Sequence, residues 1–126
     1  MILGIGIDII EVSRIEASYE KFGDRFLKRI LLEGEIAYCL SHKKPGPFLA
    51  ARFAAKEAIS KAFGTGIGTQ LSWQDMEVMR RPSGEPYVVL HGNGQKLLAE
   101  RGGRVVLISL SHTQEHATAV AILESV

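Results

Sequence analysis

Leu49-Ala50-Ala51-Arg52-Phe53-Ala54-Ala55-Lys56-Glu57-Ala58-Ile59-Ser60-Lys61-Ala62-Phe63-Gly64 is the stretch on which the fold of this chain turns. Ala, Leu, Lys and Glu are good helix formers and Gly is the commonest helix stop, so a helix from Leu49 to Phe63 is predicted. On a 3.6-residue wheel Ala51, Ala55, Ala58 and Ala62 make a smooth stripe suited to close packing. The opposite side lacks the composition of a solvated face. Arg52, Lys56, Glu57, Ser60 and Lys61 are interleaved there with Leu49, Phe53, Ile59 and Phe63. Charges among apolar side chains are costly to bury unless something charged meets them. Three cations and one carboxylate suit a phosphate together with a divalent metal. Glu57 and Lys61 also have the spacing and order of an ordinary surface ion pair, and Arg52 and Lys56 could snorkel to water. The helix alone leaves both readings open.

Upstream, Ile2 to Ile10 is short, β-branched and punctuated by Gly4 and Gly6, the pattern of a buried strand. Alternation turns Leu3, Ile5, Ile7 and Ile9 one way and Gly4, Gly6 and Asp8 the other. Glycine in a strand marks close approach of a ligand or of another backbone, so Asp8 ends a face cleared of side chains. Asp8 could also cap a helix, although Ser13-Arg14-Ile15-Glu16 is a better capping box for the next one. That helical pattern runs from Ser13 to Ile30, breaks at Gly23 and restarts after Asp24. Arg14, Arg25, Lys28 and Arg29 give it a cationic bias, most often the mark of a solvated face. A short helix is expected from Glu33 to Ser41, then a loop over residues 42–47.

Downstream, Gly64-Thr65-Gly66-Ile67-Gly68 reads as a flexible connection. Leu71 to Arg80 and Tyr87 to Leu90 read as strands about a Pro82–Pro86 turn, and Asn93 to Arg101 as a short helix. Arg104 to Ser111 and Ala117 to Leu123 form a predicted hairpin. No linker or repeat interrupts the order. One α+β domain over residues 1–126 is expected, with an antiparallel sheet packed by the long helix.

Composition sets bounds. The chain has 126 residues, 46% of them hydrophobic, and 15 Lys and Arg against 14 Asp and Glu. That is a globular chain with no basic excess, which argues against a nucleic-acid binder. No apolar run is long enough for a bilayer, and the N-terminus lacks the features of a secretory signal. Cys39 stands alone, so neither a disulfide framework nor a cysteine metal cluster is expected, and a reducing cytoplasm is the natural compartment.

Several chemistries drop out. The glycine loop at 64–68 follows its helix and lacks the Lys-Ser/Thr ending of a phosphate-binding loop. Gly4-Ile5-Gly6 lacks the third glycine of a dinucleotide fingerprint. No serine sits in a nucleophile elbow, Cys39 has no evident activator, and His42, His91, His112 and His116 lack zinc spacing. Two carboxylates remain without another employment, Asp8 and Glu57, with Arg52, Lys56 and Lys61 on the same helix as Glu57. Two carboxylates plus waters and phosphate oxygens make a typical magnesium site, and the cations would hold the remaining phosphate charge. The rival is a non-enzymatic basic α+β module that binds an acidic protein or RNA. It accounts for Arg14, Arg25 and Arg29 but not for Asp8 beside two glycines.

Gly4-Ile5-Gly6-Ile7-Asp8-Ile9 with Arg14-Ile15, then Arg52-Phe53-Ala54-Ala55-Lys56-Glu57-Ala58, Lys61-Ala62-Phe63-Gly64-Thr65-Gly66 and Ser109-Leu110-Ser111-His112-Thr113 resemble the holo-acyl-carrier-protein synthases. These are the short bacterial type of 4'-phosphopantetheinyl transferase, and the similarity covers nearly the whole chain in the family's order. The resemblance implies magnesium-dependent transfer of 4'-phosphopantetheine from coenzyme A to a serine of apo-acyl carrier protein, releasing adenosine 3',5'-bisphosphate. It implies that Asp8 and Glu57 ligate the metal and that Lys61 neutralises pyrophosphate charge. Arg52, Lys56, Gly64, Ser111, His112 and Thr113 are implied around coenzyme A, and Arg14, Arg25 and Arg29 on the carrier-protein surface. It also implies a homotrimer with active sites between neighbours. The family often has Thr or Ser where this chain has Leu32, just before the short helix; leucine cannot cap, so a shifted or frayed start is expected there. Glu33 and Glu35 are expected to cap that helix or to lie on the surface.

Overall fold

In the computed structural model, which describes residues 1–125, strand β1 (Ile2–Glu11) lies against helix α4 (Gly46–Phe63). The two glycines of β1 make that contact possible. A Cβ on Gly6 would stand 2.0 Å from the Ala58 carbonyl oxygen, and one on Gly4 would stand 2.0 Å from that of Ala62. The neighbour these glycines admit is therefore the helix backbone. The alanine stripe is the matching surface: Ala51, Ala55, Ala58 and Ala62 are all buried.

Between β1 and α4 come α1 (Val12–Phe22), α2 (Asp24–Ile30) and α3 (Glu33–Leu40). After α4 come a 3-10 turn (Trp73–Asp75), β2 (Met76–Arg80), β3 (Pro86–Leu90), α5 (Asn93–Glu100), β4 (Val105–His112) and β5 (His116–Glu124). The chain is α+β, with a three-stranded antiparallel sheet in the order β1-β5-β4 and a separate antiparallel pair β2-β3. In the larger sheet Asp8 pairs with Ala119 and Ile9 with Thr118. The side chains of β5 alternate in burial: Ala117, Ala119, Ala121 and Leu123 turn inward toward α4. The outward face of β1 stays open, with Ile5, Ile7 and Ile9 each more than 60% exposed.

Four local expectations are corrected. The helix after β1 starts at Val12, and no side chain caps it. Strand runs directly into helix there, and the Val12 amide donates 2.8 Å to the Glu115 carbonyl, so the β4–β5 turn does the work assigned to Ser13 and Glu16. The segment from Leu71 begins as a loop and a 3-10 turn, because Ser72 and Asp75 close a local ring (Ser72 amide to Asp75 Oδ2, 2.9 Å) before β2 begins at Met76. α3 begins at Glu33 without shifting. Leucine offers no oxygen, so only the reciprocal half of a capping box forms: the Leu32 amide donates 2.8 Å to Glu35 Oε1.

Glu35 and Lys56 differ most from expectation. Glu35 does cap, yet it is buried, and Lys56 is fully buried beside it. Lys56 Nζ donates to Glu35 Oε1 at 2.7 Å, the Ile30 carbonyl at 2.8 Å and the Trp73 carbonyl at 3.2 Å. Glu35 Oε2 accepts the Val78 amide at 2.9 Å. Burial pulls the Lys56 ammonium below its usual pKa, and the Glu35 carboxylate opposes that. All three lysine hydrogens are engaged and no surface is left, so Lys56 cannot touch a cofactor as the resemblance implied. On the mixed side of α4 the charge of Lys56 is thus interior and is met by protein. Cys39 is free and buried, with its thiol pushed up to about 11 by desolvation first, while Arg52 pulls the other way.

Candidate active site

β1 and α4 cross so closely that the carboxylate ending the glycine face of β1 meets the C-terminal half of the helix. Lys61 Nζ lies 3.1 Å from Asp8 Oδ1 and donates 2.9 Å to the Ile7 carbonyl. Glu57 stands one turn before Lys61 on the same side of α4. Its carboxyl is raised above the ordinary range by partial burial first and by the negative charge of Asp8 second, while Lys61 lowers it. Thr118 Oγ1 donates 2.8 Å to the Asp8 carbonyl and fixes the strand from the β5 side.

This geometry suits a cation. The Asp8 charge disfavours ionisation of Glu57, a conflict that a divalent ion between them would relieve. Among the described residues no group of three or more His, Cys, Asp or Glu could hold a metal. Any ion there takes most of its shell from water or phosphate oxygens, the habit of magnesium. Lys61 is half exposed and has one hydrogen uncommitted, so it can reach an anion at the same place. The spacing of Glu57 and Lys61 is thus more than a local helix pair, since Lys61 turns to the strand.

The remaining residues named from the sequence are spread out. Gly64 is the left-handed C-cap of α4 (φ 79°), its amide bonded to the Lys61 and Ser60 carbonyls. Ser111, His112 and Thr113 are exposed where β4 ends. Thr113 Oγ1 accepts the Glu115 and His116 amides at 3.2 and 3.1 Å, which shapes the turn. The His112 ring sits edge-on to Phe48, with centroids 5.0 Å apart, and Phe48 stacks on His42 at 3.5 Å. Tyr38 meets His42 at 4.8 Å, and the Arg52 guanidinium lies 4.2 Å over Tyr38. A line of rings thus runs from His112 to Arg52.

Arg52 is 2% exposed, and its Nε has no hydrogen-bond partner. Its guanidinium borders a hollow lined by Glu35, Tyr38, Glu77 and Arg80. Five residues separate Arg52 from Glu57, a turn of about 140° around the helix axis. Within this chain Arg52 therefore does not join the Asp8–Glu57 group. Arg14, Arg25 and Arg29 are exposed on α1 and α2, and the last two border a hollow with Ser18, Phe22 and Phe26. Sequence reading missed Thr118, Phe48 and Tyr38. Their roles depend on strand register and on a loop that folds back, neither of which leaves a local signal.

Residues 4–121 match the family model described as the 4'-phosphopantetheinyl transferase superfamily. The chain belongs to that superfamily. It is 56% identical over 121 residues to a holo-[acyl-carrier-protein] synthase of Chlamydia trachomatis serovar L2, covering 96% of this chain and 98% of that one. It is 51% identical over 124 residues to one from Koribacter versatilis, covering 98% and 99%. The crystal structure of the Neisseria meningitidis holo-[acyl-carrier-protein] synthase superposes with a TM-score of 0.92 at 37% identity, over 99% of this chain and 100% of that one. The Helicobacter pylori enzyme in complex with coenzyme A gives a TM-score of 0.85 at 34% identity, over 95% and 99%. The phosphopantetheinyl transferase is thus an enzyme, and the reading as a non-enzymatic basic module falls. No helix among the described residues is long and apolar enough to cross a membrane.

Proposed function

We propose that this transferase moves 4'-phosphopantetheine from coenzyme A to a serine of apo-acyl carrier protein, with magnesium held by Asp8 and Glu57. The observation that carries the proposal is the carboxylate pair itself, with Lys61 alongside at the crossing of β1 and α4. Coenzyme A as the donor is supported by the Helicobacter pylori relative, whose structure is a complex with it. When bound, magnesium supplies Lewis-acid neutralisation of the pyrophosphate and of the departing phosphate.

The protein's own residues do the rest. The serine hydroxyl oxygen attacks the phosphorus next to pantetheine. The bond from that phosphorus to the bridging oxygen breaks, and adenosine 3',5'-bisphosphate leaves with that oxygen. The serine proton is released. Such a transfer needs alignment and charge neutralisation more than a protein nucleophile. Lys61 directs its free N–H at the oxygen that gains charge, an interaction that strengthens in the transition state. Arg52 brings a buried guanidinium with an unpaired Nε, suited to a phosphate, while Gly64, Ser111, His112 and Thr113 border the nucleotide.

Because Arg52 and the Asp8–Glu57 pair face different sides of α4, a second copy is needed to unite them. That supports a homotrimer with sites between neighbours. The apolar outward face of β1, with Leu107 of β4 also 47% exposed, is the surface such a contact would cover. Arg14, Arg25 and Arg29 meet an acidic carrier protein. The chain works as one domain in a reducing cytoplasm. Incubation with apo-carrier protein, coenzyme A and magnesium should add the phosphopantetheine mass to the carrier; an unmodified carrier in mass spectrometry overturns the reading.

A further inference from the structure

α2 carries Arg25 and Arg29 but is a single short helix of 7 residues, too brief to hold a position by itself. The carbonyls at its C-terminal end lack helical partners and meet two side chains from elsewhere in the chain. Gln74, in the 3-10 turn, donates Nε2 to the Lys28 carbonyl at 2.7 Å, to the Leu31 carbonyl at 3.2 Å and, more weakly, to the Arg29 carbonyl at 3.4 Å. Lys56 donates to the Ile30 carbonyl between them, and also to the carbonyl of Trp73, the residue before Gln74. Lys56 itself immediately precedes Glu57. A continuous set of hydrogen bonds thus ties the basic helix to the helix that carries the reacting-end carboxylate, and Gln74 is its solvent-exposed member.

We propose that Gln74 is a positioning residue that fixes α2, the carrier-docking helix, relative to α4, so that a docked carrier presents its serine to the Asp8–Glu57 site. The proposal rests on the reading of Arg25 and Arg29 as carrier contacts. Gln74 touches neither the coenzyme A residues nor the carboxylates, so its loss acts on one substrate only. Gln74→Ala removes three neutral hydrogen bonds, the one to Arg29 long, and leaves Lys56 in place, so α2 loosens without unfolding.

The test is steady-state kinetics on the full-length enzyme with both substrates varied, alongside hydrogen exchange of backbone amides. Gln74→Ala should raise the carrier KM about fivefold, the effect of roughly one net hydrogen bond, with the coenzyme A KM unchanged. Exchange should quicken at residues 24–31 and stay unchanged in α4. Arg25→Ala is measured beside it. If Arg25→Ala raises the carrier KM and Gln74→Ala does not, the positioning role is wrong and the docking surface stands. If neither moves it, the docking reading fails and the positioning role with it. An equal rise in both KM values for Gln74→Ala marks a general loss of structure and also overturns the proposal.

Discussion

Gly6→Ala tests whether the crossing of β1 and α4 builds the site. The added methyl would sit 2.0 Å from the Ala58 carbonyl oxygen and 2.7 Å from the Ala62 amide nitrogen, and both obstacles are backbone. Ordinary contact begins near 3.4 Å, so strand and helix must part by about 3.4 − 2.0 = 1.4 Å. The intrinsic preference for alanine in a strand returns at most about 1 kcal/mol. Overpacking against a rigid neighbour costs about 1–3 kcal/mol or more, so a net loss near 2 kcal/mol is expected. For a chain of 126 residues that lowers Tm by about 6–10 °C. The same displacement opens the Lys61–Asp8 contact of 3.1 Å and spreads Asp8 from Glu57. A misplacement of about 1 Å at a reacting centre costs on the order of 100-fold in rate. The assay pairs thermal melting, with and without magnesium, with carrier modification at temperatures where the variant is folded. Gly68→Ala, with nothing within 4 Å and no positive φ, is the control and should be neutral. A Gly6→Ala enzyme with the parent's turnover and magnesium response would refute the claim that this contact sets the carboxylate geometry.

Glu57 holds its proton more tightly in the fold than in the unfolded chain, so its contribution is present below the unfolded pKa and is lost as pH rises through the raised folded value. Metal-free Glu57→Gln should therefore melt above the parent at neutral pH, lose the magnesium-dependent rise in Tm, and turn over at least 100-fold more slowly; a variant Tm that still rises with magnesium as the parent's does would contradict this. Lys56→Met strands the Glu35 carboxylate in the interior and should cost about 3–5 kcal/mol in urea denaturation. Adding Glu35→Gln should recover most of it, because a neutral amide oxygen still accepts the Leu32 or Val78 amide. If copies associate through the exposed β1 face as proposed, Ile7→Glu puts a charge in its centre and should lower the mass in light scattering to that of a monomer, with little turnover; an unchanged mass would refute that face as the contact.

The long helix, its stop at Gly64 and the hairpin near the C-terminus were legible because each rests on local periodicity or a backbone preference. Asp8 stood out for a similar reason: alternation in β1 sets it beside two glycines, and the structure brings it to Lys61. Lys56 and Glu35 were not legible, since 21 residues separate them and each looks like a surface charge on its own helix. Only their shared burial turns them into an internal pair. The Ser13 box failed for a related reason, because a carbonyl from the distant β4–β5 turn reached the Val12 amide first. Arg52 shares its sequence stretch with Glu57, yet its turn away from Glu57 is a matter of helix phase and neighbours that no short motif records.

The pairing of β1 with β5 bears on synthesis. Within its sheet the first strand has one neighbour, and that neighbour is His116–Glu124 at the far end of the chain. Nothing translated between them can complete the ladder. At about 5–20 residues per second, the row Ile5-Ile7-Ile9 waits on the order of 5–20 seconds for its partner on the ribosome. The Asp8 backbone gains its Thr118 bond and its place opposite Ala119 only when β5 docks, so a chain cut short before His116 lacks the support of that strand.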